Sequence, residues 1–408
     1  MTETRPLPRP SGSAASRAAM RNRRAAAAVA GLVLGAVAGA AGAGLPGAAG
    51  GAVLAALAAL PWMRLPRGVP VLTYHSVSPD ASWLPWADRT SIRPESFADH
   101  CALFSAMGYT TMTLDALTRA RIAGTPLPRS PLAITFDDGY RDNLLAWDAL
   151  KAHGLCATLH VSTDFVAPAE EAVRPGWDGF LTWDQLRAME ASPEWRIEAH
   201  GTDHGRVAIG PAIGRLTPDN TDRTAWMHWA ATPGPKHDWY RRPRPLPPGT
   251  PIPRSAPALA ARAWDGASHE TEAAYRARVA GVLARSRDVL AAELGRAPEI
   301  FCWPESRTTP QARDEAARAG FRATTAGHGR NAAAEPPSRI ARLSIGQDYA
   351  GFRSAALDRL ALRAHLRAFE GNLWWGIPLL AFAASRRVSR ALPRGARPDR
   401  PLKPEAAR

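Results

Sequence analysis

Residues Pro131–Asp142 read PLAITFDDGYRD. Leu132, Ala133, Ile134 and Phe136 form a short apolar run, the pattern of a buried strand. The run stops at Asp137-Asp138-Gly139. Adjacent carboxylates repel each other unless positive charge sits between them. Asp-Gly is also ordinary turn chemistry. Two readings compete: a simple turn, or a metal held by one carboxylate while the other is left to take a proton.

Similar apolar runs recur on both sides of this stretch, at Val69–His75, Tyr109–Leu114, Ala157–Thr163, Trp195–Gly201, Glu299–Pro304, Phe321–Gly327 and Ile340–Gly346. Helical patterns lie between them: Pro94–Met107 before Gly108, Arg141–His153 before Gly154, Thr271–Leu294 before Gly295, and a segment from Thr309-Pro310 to Gly320. Glycine closes each of these, and a cap followed by proline opens the last. Strand alternating with helix argues an α/β fold with a parallel sheet. About eight strands over roughly 280 residues suit a closed (β/α) barrel. The barrel is expected over 67–350, with an insertion at 206–267 that breaks the rhythm. The insertion is rich in proline and arginine and carries Trp226, Trp229, Trp239 and Tyr240. A long irregular insertion is usually functional or disordered, and tryptophan mixed with arginine favours contact with sugar faces or a phosphate.

The 408 residues carry a net charge of +14, nearly all of the positive charge being arginine. Such a balance suits nucleic acid, an anionic membrane surface or phosphate-bearing substrates. Neither paired Cys/His zinc spacing nor an aromatic RNA-binding strand is present, so a nucleic-acid partner is not expected. Cys101, Cys156 and Cys302 are odd in number and sit in apolar contexts, as buried small residues do.

After a basic tail over 1–24, the stretch 25–63 holds no charged residue and is followed by Arg64 and Arg67. Its length fits two thin membrane spans broken at Pro46, a hairpin whose basic flanks both lie inside, or else a signal anchor or signal peptide. Toward the other end, 351–385 carries Trp374 and Trp375 beside an apolar run too short to span, and 386–408 is a basic tail expected to be disordered. Aromatic, apolar and basic residues in that order fit an interfacial segment, or a final helix packed on the domain.

Chemistry in a barrel collects at the carboxyl ends of the strands. Read in order, those ends offer His75, then Asp137 and Asp138, then His200 with His204 four residues on. Trp303, Pro304 and Glu305 follow with Arg307 just beyond, and then His328. Two histidines at i and i+4 reach one ion if the chain turns helically after the strand, and a carboxylate from another strand completes three ligands. Open positions remain for water and substrate. Side chains diverge at a strand terminus, so Asp138 can bind metal while Asp137 faces the water as base.

These residues resemble the polysaccharide deacetylase family, the NodB-homology metal-dependent carbohydrate esterases. TFDDGY (Thr135–Tyr140) is similar to that family's first motif, and HGTDH (His200–His204) to its second, with Gly201 in place of Ser or Thr. The resemblance implies a distorted (β/α) barrel of the NodB-homology type over about Val69–Gly346. It also implies one divalent ion of the zinc type on Asp138, His200 and His204, with Asp137 as catalytic base, and hydrolysis of an N-acetyl group from an amino sugar. VLTYHSV resembles the first strand of the poly-N-acetylglucosamine deacetylase branch, which implies His75 as general acid. Two motifs depart from the pattern. Where the third commonly reads Arg-x-Pro-aromatic, this chain has Cys302-Trp303-Pro304-Glu305, with Arg307 available to replace the missing guanidinium near Asp137. The fifth motif is not evident, and His328 is the nearest candidate for its histidine.

The expected protein is a hydrolase of carbon–nitrogen bonds at a bacterial inner membrane, with either side of that membrane open to its barrel. Its expected partners are the membrane and an N-acetylated glycan. Tyr140 is placed at the substrate, with a backbone N–H near it to hold the oxyanion. Three alternatives stand beside this: a deacylase removing acetyl or formyl from a lipid-linked amino sugar, an inactive membrane-anchored glycan-binding protein, and a scaffold in polysaccharide export.

Overall fold

The computed structural model describes residues 13–217, 221–242 and 245–391. The chain divides into two compact units. Among the described residues, one comprises those of Val71–Gly327 and Pro337–Ser344; the other comprises residues 13–70, His328–Pro336 and residues 345–391.

In the first unit the apolar runs become strands. These are β1 (Val71–Tyr74), β2 (Ser76–Val77), β3 (Ser91–Ile92), β4 (Thr110–Thr111), β5 (Pro131–Phe136), β6 (Ala157–Val161) and β7 (Trp195–Ala199). The later ones are β8 (Arg206–Arg215), β9 (Pro251–Pro257), β10 (Ile300–Phe301), β11 (Ala323–Thr324) and β12 (Leu343–Ser344). The main sheet runs β11-β10-β7-β6-β5-β1-β12, with β4 on the first residues of β5, and its pairings are parallel. Every residue of β5 and β6 is buried, as strands covered on both faces require.

Hydrogen bonds along Ser338–Ser344 close the sheet on itself. Thr324 N–H donates to the Ser338 carbonyl at 3.0 Å and Ile340 N–H to the Thr324 carbonyl at 2.9 Å. Three residues beyond Ile340, Leu343 pairs with Leu72 of β1. One short segment thus bridges the two sheet ends, and the expected distorted (β/α) barrel is borne out. Its helices follow their sequence signals. Glu272–Leu294 is capped by the Thr271 side chain and stopped by Gly295 at φ 71°; Pro310–Arg318 is capped by Thr309.

The insertion is ordered where it is described. β8 and β9 pair as an antiparallel ribbon and Thr221–Ala230 is a helix. Proline is tolerated in such a two-stranded edge. The aromatic side chains are largely used internally: Trp239 stacks on Trp86 at 5.7 Å, and Trp229 packs against Phe165 and Trp239. Together with Trp83, Tyr140 and Phe180 they form one apolar cluster.

The second unit contains a helix over Ser13–Met63 that breaks at Ala43 and Gly44, two residues before the expected Pro46. It also contains helices Ala355–Phe369 and Gly376–Ala391. The last of these continues through the first residues of the basic tail, and 392–408 lie outside the described residues.

Candidate functional site

The carboxyl end of β5 delivers the two aspartates in different directions. Asp138 takes φ 77° and Gly139 φ 82°. A non-glycine residue held in that left-handed region is uncommon and costs free energy, a pattern that clusters at functional sites. Asp138 Oδ1 lies 3.3 Å from His200 Nε2 and 3.9 Å from His204 Nε2. His200 follows β7 directly, and its Nδ1 donates to the Cys302 carbonyl at 2.8 Å. That bond fixes the tautomer and turns the Nε2 lone pair toward Asp138.

His204 arrives by a route that differs from the expected helical turn. Asp203 Oδ1 accepts the Gly205 N–H at 3.0 Å and His204 adopts φ 48°. This bend carries the imidazole back over the strand end, with the two rings 5.3 Å apart.

The three ligand atoms lie within 4.8 Å of one another. Bonds of about 2.1 Å to a tetrahedral zinc place ligand atoms roughly 3.4 Å apart, so the donor set and spacing fit such an ion. Asp138 and His204 are partly exposed while His200 is buried, which leaves one side open. The electrostatics agree with the fit. Burial opposes ionisation of Asp138, yet its hydrogen bond with His200 and the His204 and His75 imidazoles hold it far below the usual carboxylate range. Burial likewise opposes charge on His200, but Cys302 and Asp138 draw a proton onto it. A divalent cation would satisfy Asp138 in place of that proton.

Asp137 is arranged differently. Its Oδ1 accepts Arg342 Nη1 at 2.7 Å, His160 Nδ1 at 2.9 Å and the Cys302 thiol at 3.5 Å. Its Oδ2 lies 3.8 Å from His75 Nε2. Oδ1 is therefore fully engaged, whereas Oδ2 is approached by the His75 imidazole. Burial would raise this carboxyl, but Arg342, then His160 and His200, keep it well below its ordinary value. Burial also works against ionising Cys302, and Arg342, His200 and His160 bring its thiol down to about 6.

The guanidinium on Asp137 thus belongs to Arg342, just before β12, and not to Arg307. Cys302 fills the place where an arginine was expected. His160 and Arg342, the side chains that hold Asp137, were missed by motif reading. The one signal for Arg342 is an arginine inside an otherwise apolar strand-like run; for His160 it is a histidine inside fully buried β6. Asp142 and Asn143 were also missed. Asp142 Oδ2 accepts the Ser76 hydroxyl at 2.6 Å and Asn143 Nδ2 donates to the His75 carbonyl at 2.6 Å, so both pin the segment that presents His75.

The remaining expected site residues are not among these convergent side chains. Tyr140 is buried, its hydroxyl accepting from Trp86 Nε1 at 3.2 Å. Trp303 is fully buried with its ring 4.7 Å from Phe301, and Pro304 is buried beside it. Glu305, at φ 52°, pairs with Arg206, whose guanidinium also reaches Ser255 and lies over Trp226, tying the insertion to the β10 end. Arg307 follows this short turn. His328 is an exposed residue of the second unit.

Residues 124–243 match the family described as Polysaccharide deacetylase. The chain is 22% identical over 281 residues to the poly-beta-1,6-N-acetyl-D-glucosamine N-deacetylase of Escherichia coli K12, covering 65% of this chain and 34% of that protein. It therefore spans about a third of the length of that curated relative. A de-N-acetylase from Aggregatibacter actinomycetemcomitans aligns at 22% identity and TM-score 0.49, covering 67% of this chain and 94% of the other. The BpsB deacetylase domain from Bordetella bronchiseptica aligns at 22% identity and TM-score 0.49, covering 69% and 97%.

Proposed function

We propose that this chain, in which the polysaccharide deacetylase resemblance is borne out, is a metal-dependent hydrolase that removes the N-acetyl group from an amino sugar. The observation that carries this is the division of labour between neighbouring aspartates. Asp138 converges with two imidazoles, while Asp137 keeps Oδ2, 3.8 Å from His75 Nε2, apart from the contacts that occupy Oδ1.

Asp138, His200 and His204 would hold a divalent ion, and zinc suits the donor set. When bound it would supply Lewis-acid polarisation of the acyl carbonyl and ease deprotonation of water. The chain's own residues do the rest. Asp137 takes the proton of the attacking water through Oδ2, because Oδ1 is committed to Arg342, His160 and Cys302. Arg342 holds that carboxylate ionised and in one orientation. His75, partly exposed with its Nε2 3.8 Å from Oδ2, gives a proton to the departing amine as the C–N bond breaks.

The test is to load the purified full chain with zinc, incubate it with N-acetylglucosamine oligomers, and measure free amine and acetate. Equal amounts of both are expected. Formate from an N-formyl sugar, with no acetate from the oligomers, would reassign the acyl group. No amine from any N-acylated amino sugar would overturn the hydrolase reading.

A further inference from the structure

We propose that Ala25–Met63 crosses a bilayer twice as a closed helical hairpin. Its tip near Ala43–Gly47 lies on the outer face, and both of its ends, with the catalytic unit, lie on the cytoplasmic face. A single span does not accommodate the apolar helix Ala18–Met63, whose 46 residues would extend about 69 Å if straight. The break at Ala43 (φ −146°) and Gly44 (φ 62°) divides it into two arms. Each arm runs about 18 residues, or roughly 27 Å, close to the thickness of the hydrocarbon core.

The arms touch along their backbones. A Cβ added at Gly35 would strike the Gly51 carbonyl, and one at Gly39 the Gly47 carbonyl; the reverse additions at Gly47 and Gly51 collide equally. Ala43 and Ala55 continue this seam. Each arm therefore offers a small residue every fourth position, the pattern that lets helices pack where water provides no hydrophobic drive. The open ends are fastened together: Arg24 Nη1 donates to the Trp62 carbonyl at 2.9 Å, and Ala28, Ala59 and Met63 pack with Leu373 and Trp374.

The outward faces identify the partner. Val33, Leu34, Val37, Val53, Leu54 and Leu57 are each more than half exposed. Apolar surface of that extent on a paired helix calls for a lipid environment. No charged residue occurs between Arg24 and Arg64, whereas Arg21, Arg23 and Arg24 flank one end and Arg64 and Arg67 the other. Basic residues at both ends place both ends inside. The catalytic unit begins at Val71, a few residues after Met63, and so shares that face. On the hydrolase reading, which this clause rests upon, the substrate is an N-acylated amino sugar carried by a lipid at the inner leaflet.

Topology is tested without catalysis. Leu45→Cys and Arg67→Cys are introduced separately into the full chain, with the protein carrying only its native cysteines as blank. An impermeant maleimide is applied to right-side-out and to inverted membrane vesicles. Leu45→Cys should label several-fold above the blank only in right-side-out vesicles, and Arg67→Cys only in inverted ones. Labelling of Arg67→Cys from the outside, Leu45→Cys reacting only from the inside, or a chain cleaved within 25–63 would each overturn the hairpin. The substrate clause is read separately, by amine release from a lipid-linked N-acetyl amino sugar. Turnover confined to inverted vesicles supports it, and turnover confined to right-side-out vesicles overturns it. Absence of turnover in both, with the labelling pattern intact and amine still released from free N-acetylglucosamine oligomers, overturns the lipid-linked substrate and leaves both the hairpin and the hydrolase reading standing.

Discussion

Arg342 sets its Nη1 2.7 Å from Asp137 Oδ1, joining residues 205 positions apart in the chain. Both side chains are almost completely buried, so this contact is hardly screened by solvent. Arg342→Ala should lower kcat by roughly 10²-fold with KM little changed and one metal equivalent retained, because it disturbs the base and not the ligands. Arg342→Lys should recover part of the loss. Adding Cys302→Arg to Arg342→Ala restores a guanidinium from the β10 side and should raise kcat again. Equal damage to kcat and KM, with no recovery from either change, would reduce Arg342 to a packing role.

Asp137→Asn keeps the shape of the side chain and removes its proton affinity. Turnover should fall by about 10³-fold while zinc content stays at one equivalent. Steady-state kinetics and metal analysis on the same preparation decide the matter; turnover near the starting level would take the base role away from this residue.

Asp138→Ala and His204→Ala should each cut bound zinc to well below one equivalent and abolish turnover, since three ligands leave no spare. Chelation should inactivate the unaltered chain, with activity returning on addition of zinc. Full metal content in both variants would place the ion elsewhere.

Asn143→Ala frees the His75 carbonyl that Asn143 Nδ2 holds at 2.6 Å. A supporting contact of this kind is worth about 10-fold or more in activity. The expected result is a drop in kcat with unaltered zinc content and melting temperature. Unchanged kcat would show that β1 alone positions His75.

His100 gives a pH test outside the site. Its imidazole is buried with Nδ1 3.0 Å from the Tyr74 hydroxyl, and burial pushes it down from 6.5 to about 4. The unfolded chain takes up a proton as pH falls through 6.5 and the native chain does not. Stability from this group is therefore complete above pH 6.5 and is lost as pH falls toward 4, by about 1.4 kcal/mol per pH unit. Denaturant titrations at about pH 7, 5.5 and 4.5 should show this slope, and His100→Gln should flatten it. An identical slope in the variant would assign the acid sensitivity to another group.

Much of the barrel was legible because each buried run ends abruptly in a polar residue, as Phe136 does at Asp137 and Ala199 at His200. Caps were equally readable, since Thr309-Pro310 and Gly295 act through local backbone chemistry. What escaped were partnerships fixed by sheet closure. Nothing near Asp137 in sequence announces Arg342, whose approach depends on Leu343 pairing with Leu72. His160 was hidden for a related reason: inside an apolar strand a histidine reads as core until its partner is known. The insertion misled through composition. Its prolines suggested irregular chain, but a two-stranded ribbon holds them at bulges and edges, while Trp229 and Trp239 pack on each other and Trp226 lies under Arg206.

The closing segment also imposes an order on biosynthesis. A ribosome has already released both aspartates and both metal-facing imidazoles when the residues before β12 are still unmade. Until Arg342 emerges and Leu343 slots beside Leu72, the base has no guanidinium to keep it charged and oriented. On the proposed hydrolase reading, competence would coincide with completion of the barrel, and chains ending before Arg342 should be inactive.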